Sequence, residues 1–428
     1  MNDQTPAIAP ATTRLGQLQR GRGAGFLAAL AAGAAAHDDL LHCLLADPRR
    51  DRQTEQRARY YGELLVAVDL PLEPLLGPLR AAPEGVLGHD VLAASFALGH
   101  APTRELLADE NTAEPLVAGI TGCLWGERWA RAVDLPPRAR AHWLRLDLQN
   151  ADSARSERRP QAPTPLANLS VDAVLELARG PQPVRRDRLL GELCARGDAA
   201  TRARLAAVVA DDRVLDRVRL AARALGLLAD DRLLPLAEDL FAREDVFADP
   251  ERRLPADLRM RRACLSDYAQ HLPGPMALPL ARAWHERGAY FTTVAGKLFE
   301  LHATAADRRR LEAYVAANID DEVGAELDAL GRLGDPASIP LLVEVAATTP
   351  ASRARTRAVR ALSFVARHPL AQATLREALW DAEDEAAELA CGTVAGDDEV
   401  RRRIAALAAN PLADAELTAR ALARSSRW

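Results

Sequence analysis

The sequence predicts an all-α fold, an α-solenoid in which about twelve helical hairpins stack one on another. Three observations predict it. Apolar residues recur at spacings of three and four along nearly the whole chain, with little of the alternation that marks strands. Short breaks of Gly, Asp, Pro or His interrupt them near His37, Asp69, Gly99, Asp134, Asn168, Gly197, Asp230, Pro273, Ala303, Gly334, His368 and Gly396. Those breaks follow one another at about 30 to 35 residues, a period typical of stacked helical repeats. Only the step from Asp230 to Pro273 is longer.

Residues 1–13 (MNDQTPAIAPATT) are polar and rich in Pro and Ala, and read as a disordered tail. Residues 14–148 read as divergent N-terminal repeats that keep the period but lack the turn chemistry seen later. Within them the uncharged run Gly23–Ala36 has some marks of a signal peptide: Arg14, Arg20 and Arg22 precede it and Ala34-Ala35-Ala36 closes it. Its Ala-rich composition, long leader and repeat position favour a first-repeat helix instead. It is also shorter than the roughly 20 apolar residues that cross a bilayer.

Gln149–Pro165 (QNADSARSERRPQAPTP) is polar, Pro-rich and without apolar period, so 149–166 is expected to be a linker. Residues 167–428 hold the best-formed units. Val218–Leu228 is an amphipathic helix, Ala229-Asp230-Asp231 the turn, and Leu233–Phe241 the second helix. Arg243–Leu258, with two prolines and mixed charge, reads as an inserted loop and explains the long step. Val323–Leu333 leads through Gly334-Asp335-Pro336 into Ala337–Ala347. The Gly ends the first helix, the Asp caps the second, and the Pro fits its first turn, where no donor is needed. Each hairpin is apolar on more than one face and must stack on its neighbours.

Leu333–Ala346 (LGDPASIPLLVEVA) followed by Ser352–Ala366 (SRARTRAVRALSFVA) resembles the HEAT repeats, in the bacterial variety called PBS-lyase-type. The resemblance is strong over 184–241 and 295–400 and thins to the bare period over 24–150. It implies an armadillo-like superhelix. It implies no single activity, because the family holds scaffolds, adaptors and some enzymes. HEAT-type metal hydroxylases bind two irons through several His-Glu pairs, whereas His285-Glu286 is the single such pair here.

Composition narrows the function further. The 428 residues carry 60 Asp+Glu and 55 Lys+Arg, Lys297 being the one lysine, for a net charge of −5. That balance argues against a highly basic nucleic-acid coat. The five cysteines (43, 123, 194, 264 and 391) are scattered, odd in number and form no CxxC, so neither a disulfide framework nor a zinc site is indicated. A cytoplasmic setting fits.

Gly21, Gly23 and Gly25 (GRGAGF) precede a helix, but no strand comes before them, so the motif reads as a flexible lead into the first repeat rather than an anion cradle. Gly296-Lys297 is followed by Leu298, which excludes a phosphate loop. His37-Asp38-Asp39 and His42 are dense in metal-ligand types but lack aligned partners, and read as a helix start. No catalytic residue, metal or cofactor is assigned.

Two groups remain as binding candidates. Trp125 and Trp129 share a helix face beside Arg128, with Trp143 in the next helix; aromatic anchors with Arg mark protein interfaces, although core filling is the simpler use. Arg353, Arg357 and Arg360 fall at i, i+4 and i+7 and form a basic stripe. The acids of 381–388 follow in the next repeat, so pairing between repeats is the plain alternative. A third basic group, Arg259, Arg261 and Arg262, follows the inserted loop. The expected function is a scaffold or adaptor that binds a partner protein or peptide along the concave face, with no membrane partner. The alternative is a DNA-binding protein of the HEAT-like alkylated-base glycosylase type.

Overall fold

A computed structural model of the chain describes residues 7–428 apart from 51–54, 56, 83–85, 127–134, 137, 141–142, 144–165, 167–168, 180–185, 244–253 and 320–322. Every regular element is helical, and the described residues contain no strand. In chain order the helices are α1 (Arg14–Gln19), α2 (Gly23–Ala32), α3 (His37–Leu45), α4 (Ala58–Ala67), α5 (Glu73–Ala81), α6 (Leu87–Ala97), α7 (Ala101–Ala108) and α8 (Glu114–Gly126). After 165 come α9 (Val171–Glu176), α10 (Arg186–Arg196), α11 (Ala199–Asp211), α12 (Leu215–Leu227), α13 (Leu234–Ala242), α14 (Ala256–Gln270), α15 (Gly274–His285) and α16 (Ala289–His302). The last eight are α17 (Arg308–Ala317), α18 (Ala325–Leu333), α19 (Ile339–Thr348), α20 (Ser352–Phe364), α21 (Pro369–Ala378), α22 (Asp384–Thr393), α23 (Asp398–Ala408) and α24 (Ala415–Ser425).

The turns follow the expected chemistry. Gly334 takes the left-handed conformation (φ 64°) that ends α18, a position a Cβ would strain. Asp335 accepts from the Ala337 N–H at 2.9 Å. That cap opens a single 3-10 turn, Pro336–Ser338, which runs on into α19. Asp230 does the same through the Arg232 N–H before α13. Asp198, Asp397 and Asp414 cap α11, α23 and α24 directly, each satisfying N–H groups that the first turn leaves without partners.

The chain divides into two compact units, residues 1–155 with 310–428, and residues 156–309. The first cut falls inside the expected linker. Of that linker only Leu166 is described, as are only the ends of the expected 243–258 insertion. The second cut, at 309–310, divides what the sequence presents as one run of repeats over 167–428.

In the first unit α18 packs on α20, α20 on α22 and α22 on α24, while α19 packs on α21. Consecutive helices also pair, as in α19–α20 and α23–α24, and α4–α6–α8 form a similar row. The same unit joins the two stretches: α2 packs on α21, and one buried apolar cluster includes Leu18, Tyr60, Phe96, Leu375, Trp380 and Leu417. In the second unit α12 packs on α14 and α14 on α16, with α15 against α16.

Residues 7–13 differ from the disordered tail expected over 1–13. The Ala9 N–H donates to Gln19 Oε1 (2.7 Å), Arg20 donates to Ala9 O (2.7 Å), and Thr13 caps α1. Short polar residues followed by a helix can turn back on it, and composition alone does not show that.

Candidate functional site

The Arg353–Arg357–Arg360 stripe lies on α20, between α18 and α22. Helical spacing puts all three on one side, and the structure shows what they face. Arg357 and Arg360 both pair with Asp328 of α18, Arg360 at 3.4 Å, and Arg360 also pairs with Glu385 of α22. The series continues from Glu388 of α22 to Arg420 of α24 at 3.1 Å. Of the acids of 381–388 expected opposite the stripe, only Glu385 pairs with it, through Arg360, whereas Arg357 turns to Asp328 on the other neighbouring helix. Arg353, one turn earlier, is exposed.

The stripe has a fourth member that the charge pattern did not reveal. Phe364 follows at i+11 and is 63% exposed. Its ring lies over Gly331 of α18: a Cβ there would stand 3.2 Å from Phe364 Cδ2 and 2.6 Å from Ala361 Cα. Glycine lets α18 and α20 approach closely here. The signal in the sequence was a Phe in phase with the arginines.

The second unit repeats the cross-helix pairing. Arg219 and Arg223 of α12 reach Asp267 of α14 at 3.0 and 3.1 Å, and Arg217 pairs with Asp172 and Glu176 of α9. Of the basic group after the inserted loop, Arg261 and Arg262 are buried. Arg261 donates to Val209 O at the end of α11 (2.8 Å), where carbonyls lack partners. Arg262 sits over the Tyr290 ring at 4.1 Å. Tyr290 belongs to an aromatic group with Phe241, Trp284 and Phe291, at centroid distances of 5.3 to 6.0 Å. Trp284, Phe241 and Phe291 are buried, so this cluster is mainly core.

The other expected aromatic group is only partly described. Trp125 lies on α8, while Arg128 and Trp129 lie outside the described residues. Trp143 is half-buried against the core of the first unit. A cleft of about 550 Å³ opens beside α7, lined by Phe96, Leu135, Arg104 and Arg140, with Arg104 over the Phe96 ring at 5.5 Å. Its lining also includes Glu105 but no nucleophile–base pair.

The densest charge lies elsewhere, where the N-terminal helices meet the 347–410 stretch. Arg20 donates to Thr348 O (2.9 Å) and Arg22 to Ala347 O (2.8 Å), covering the last carbonyls of α19. Arg22 also pairs with Glu377, and the Ala382 N–H donates to Gly21 O (2.9 Å). The GRGAG segment therefore does not serve as a flexible lead. Gly21 has φ 69°, and a Cβ on Gly23 would stand 1.9 Å from Glu377 O.

Behind this contact lies a buried ionic network. The fully buried Arg57 contacts Glu55 (3.0 Å), Ser352 (2.9 Å) and Glu383 (3.4 Å). Arg59 pairs with Asp384 (2.7 Å), Arg355 with Asp381 (2.8 Å), and Glu63 with Arg403 (2.7 Å). Burial pushes the Glu383 carboxyl above its usual range against the pull of Arg57 and Arg355. Burial also acts upward on Glu63, but Arg403 and Arg59 outweigh it and hold that carboxyl below its usual range.

At the HDDLLH segment, Asp39 pairs with Arg14 at 2.6 Å and His37 Nε2 meets Val68 O at 3.0 Å. No group of metal-ligand side chains gathers among the described residues. Nor is any helix among them long and apolar enough to cross a membrane. A scan against protein-family models finds no match to this chain, and a search of the curated proteins finds none.

Proposed function

We propose that the protein is an interaction scaffold, a solenoid of HEAT-like hairpins that binds a partner protein or peptide along one face of its helix rows in the cytoplasm. The observation that carries this reading is the row α18–α20–α22–α24. Ion pairs fix its outward side chains from helix to helix, yet it leaves Phe364 and Arg353 open. A fixed row of side chains suits recognition of an extended partner, because little conformational freedom is lost on binding. The alternating charge supplies specificity more than raw affinity.

The test is co-purification of the full chain from its native host, followed by reconstitution with the purified partner. The expected result is a stoichiometric complex that reforms from pure components. A protein recovered alone, together with salt-sensitive binding to duplex DNA, would instead favour the nucleic-acid reading.

A further inference from the structure

The first unit is closed by a joint between two stretches that lie far apart in the chain. Residues 14–126 and 310–428 each hold a row of their own, α4–α6–α8 in one and α18–α20–α22–α24 in the other. Among the described residues, α2 on α21 is the one substantial helix contact between the two. Polar side chains make most of the remaining joint. Arg22 donates to both oxygens of Glu377 at 3.0 Å, and Arg59 meets Asp384 at 2.7 Å. Glu63 accepts from Arg403 at 2.7 Å and from Asn410 at 2.6 Å. Arg403 also stands over the Phe26 and Trp380 rings, at 5.5 and 5.7 Å. Leu18, Phe26 and Tyr60 share one apolar cluster with Leu375 and Trp380. A contact this rich in polar pairs is of the kind that joins separately folded parts of a chain.

Residues 127–309 run between the two stretches and include the whole second unit. A tether of that length holds its ends together at an effective concentration below that of a short linker, which is itself about millimolar. The same joint made with a neighbouring chain competes with it and loses no contact.

We propose that two copies of this chain exchange their N-terminal stretches, residues 14–126 of each docking on 310–428 of the other. Each joint then takes its residues from both chains. The exchange is reciprocal, so the pair closes on itself instead of growing into a filament. The fit selects a second copy over an unrelated partner. A Cβ on Gly21 would stand 2.7 Å from Ala382 Cβ, and one on Gly23 1.9 Å from Glu377 O. The 347–410 face is thus shaped around glycines at these two positions, with arginine at 22 between them. The exchange does not depend on the scaffold reading; where both hold, the dimer presents the row α18–α20–α22–α24 twice.

The experiment unfolds tagged and untagged full chains together in urea, then refolds them at concentrations far below and approaching about 1 mM. Untagged chain is expected to co-purify with tagged chain only after refolding at the higher concentration. The complex should have twice the chain's mass by light scattering and should survive dilution. Chains folded apart and then mixed should not exchange, because the joint must open first. A second arm assigns the joint. Arg22→Glu and Glu377→Arg each set like charges face to face, which costs several kcal/mol. Refolded together, the two variants regain opposite charges at both joints of an exchanged dimer. The mixture is therefore expected to give at least about tenfold more dimer than either variant alone. Parent chains that stay monomeric at both concentrations overturn the proposal, as does a tagged–untagged complex that forms as readily from native chains. A variant mixture with no more dimer than either variant alone also overturns it.

Discussion

Replacing Arg57 with methionine should loosen the first unit while leaving the second intact. The Arg57 side chain is fully buried, and its guanidinium serves Glu55, Glu383 and the Ser352 hydroxyl. Methionine fills much of the volume but removes the guanidinium that Glu55 and Glu383 share, leaving them the more distant pull of Arg355. Breaking a buried pair by removing one partner costs about 3–5 kcal/mol. In a domain of this size each kcal/mol lowers Tm by about 2–4 °C, so a fall of about 6–20 °C is expected by thermal circular dichroism at pH 8. The sign of the pH dependence follows from Glu383. Its folded-state pKa is raised, so it favours the folded chain at low pH and loses that contribution as pH rises through the folded value. Loss of Arg57 removes an attraction that restrained this shift, so the R57M penalty should grow from pH 5 to pH 8. E383Q in the R57M background should recover part of the loss, with a coupling of about 0.5–3 kcal/mol. Hydrogen exchange should speed up at 347–352 and 377–384 but not within 199–227. A Tm within about 2 °C of the parent, or R57M and E383Q effects that simply add, would refute the reasoning.

Other outcomes follow from single contacts. Gly23→Ala places a Cβ 1.9 Å from Glu377 O and should destabilise by about 1–3 kcal/mol through overpacking. Gly122→Ala on α8 meets nothing within 4 Å and should stabilise by up to about 1 kcal/mol; thermal melts of the pair check both. Burial pushes the thiols of Cys43 and Cys391 up to about 12 and that of Cys264 up to about 11. Ellman's reagent at pH 8 should therefore spare these three in the folded chain and reach them after unfolding, and fast labelling of any of them would contradict their burial. Duplex DNA at physiological salt should bind more weakly than the ~1–100 μM usual there for non-specific binders, as a fluorescence-anisotropy titration would show.

Local chemistry was legible where neighbours in sequence decide it. Gly334, Asp335 and Pro336 announced the end of one helix and the cap of the next, and Asp230 did so before α13. The added 3-10 turns were not legible, because they depend on where each helix docks. The Arg353–Arg360 stripe could be read from spacing, but its partners could not. Asp328 lies outside the acidic stretch the sequence set opposite it, and only side-by-side packing of α18 and α20 reveals it. Least legible was the contact of Gly21–Glu63 with 347–410. It joins residues more than 300 positions apart, and no periodicity in one chain encodes such a pairing. The glycines of GRGAG were visible, yet their role depends on a carbonyl at Glu377 that lies far along the chain.

That distant pairing sets an order of events during synthesis. Arg57, Arg59, Tyr60 and Tyr61 leave the ribosome long before Asp381, Glu383, Asp384 and Arg403. At about 5–20 residues per second the interval is roughly 15–65 s. Through that time Arg57 and Arg59 have only their local partners Glu55 and Glu63, without Glu383 and Asp384, while residues 156–309 have time to fold. Closing a loop of that length adds little equilibrium cost, but it makes the first unit slow to mature and leaves its early segment open to chaperones and proteases.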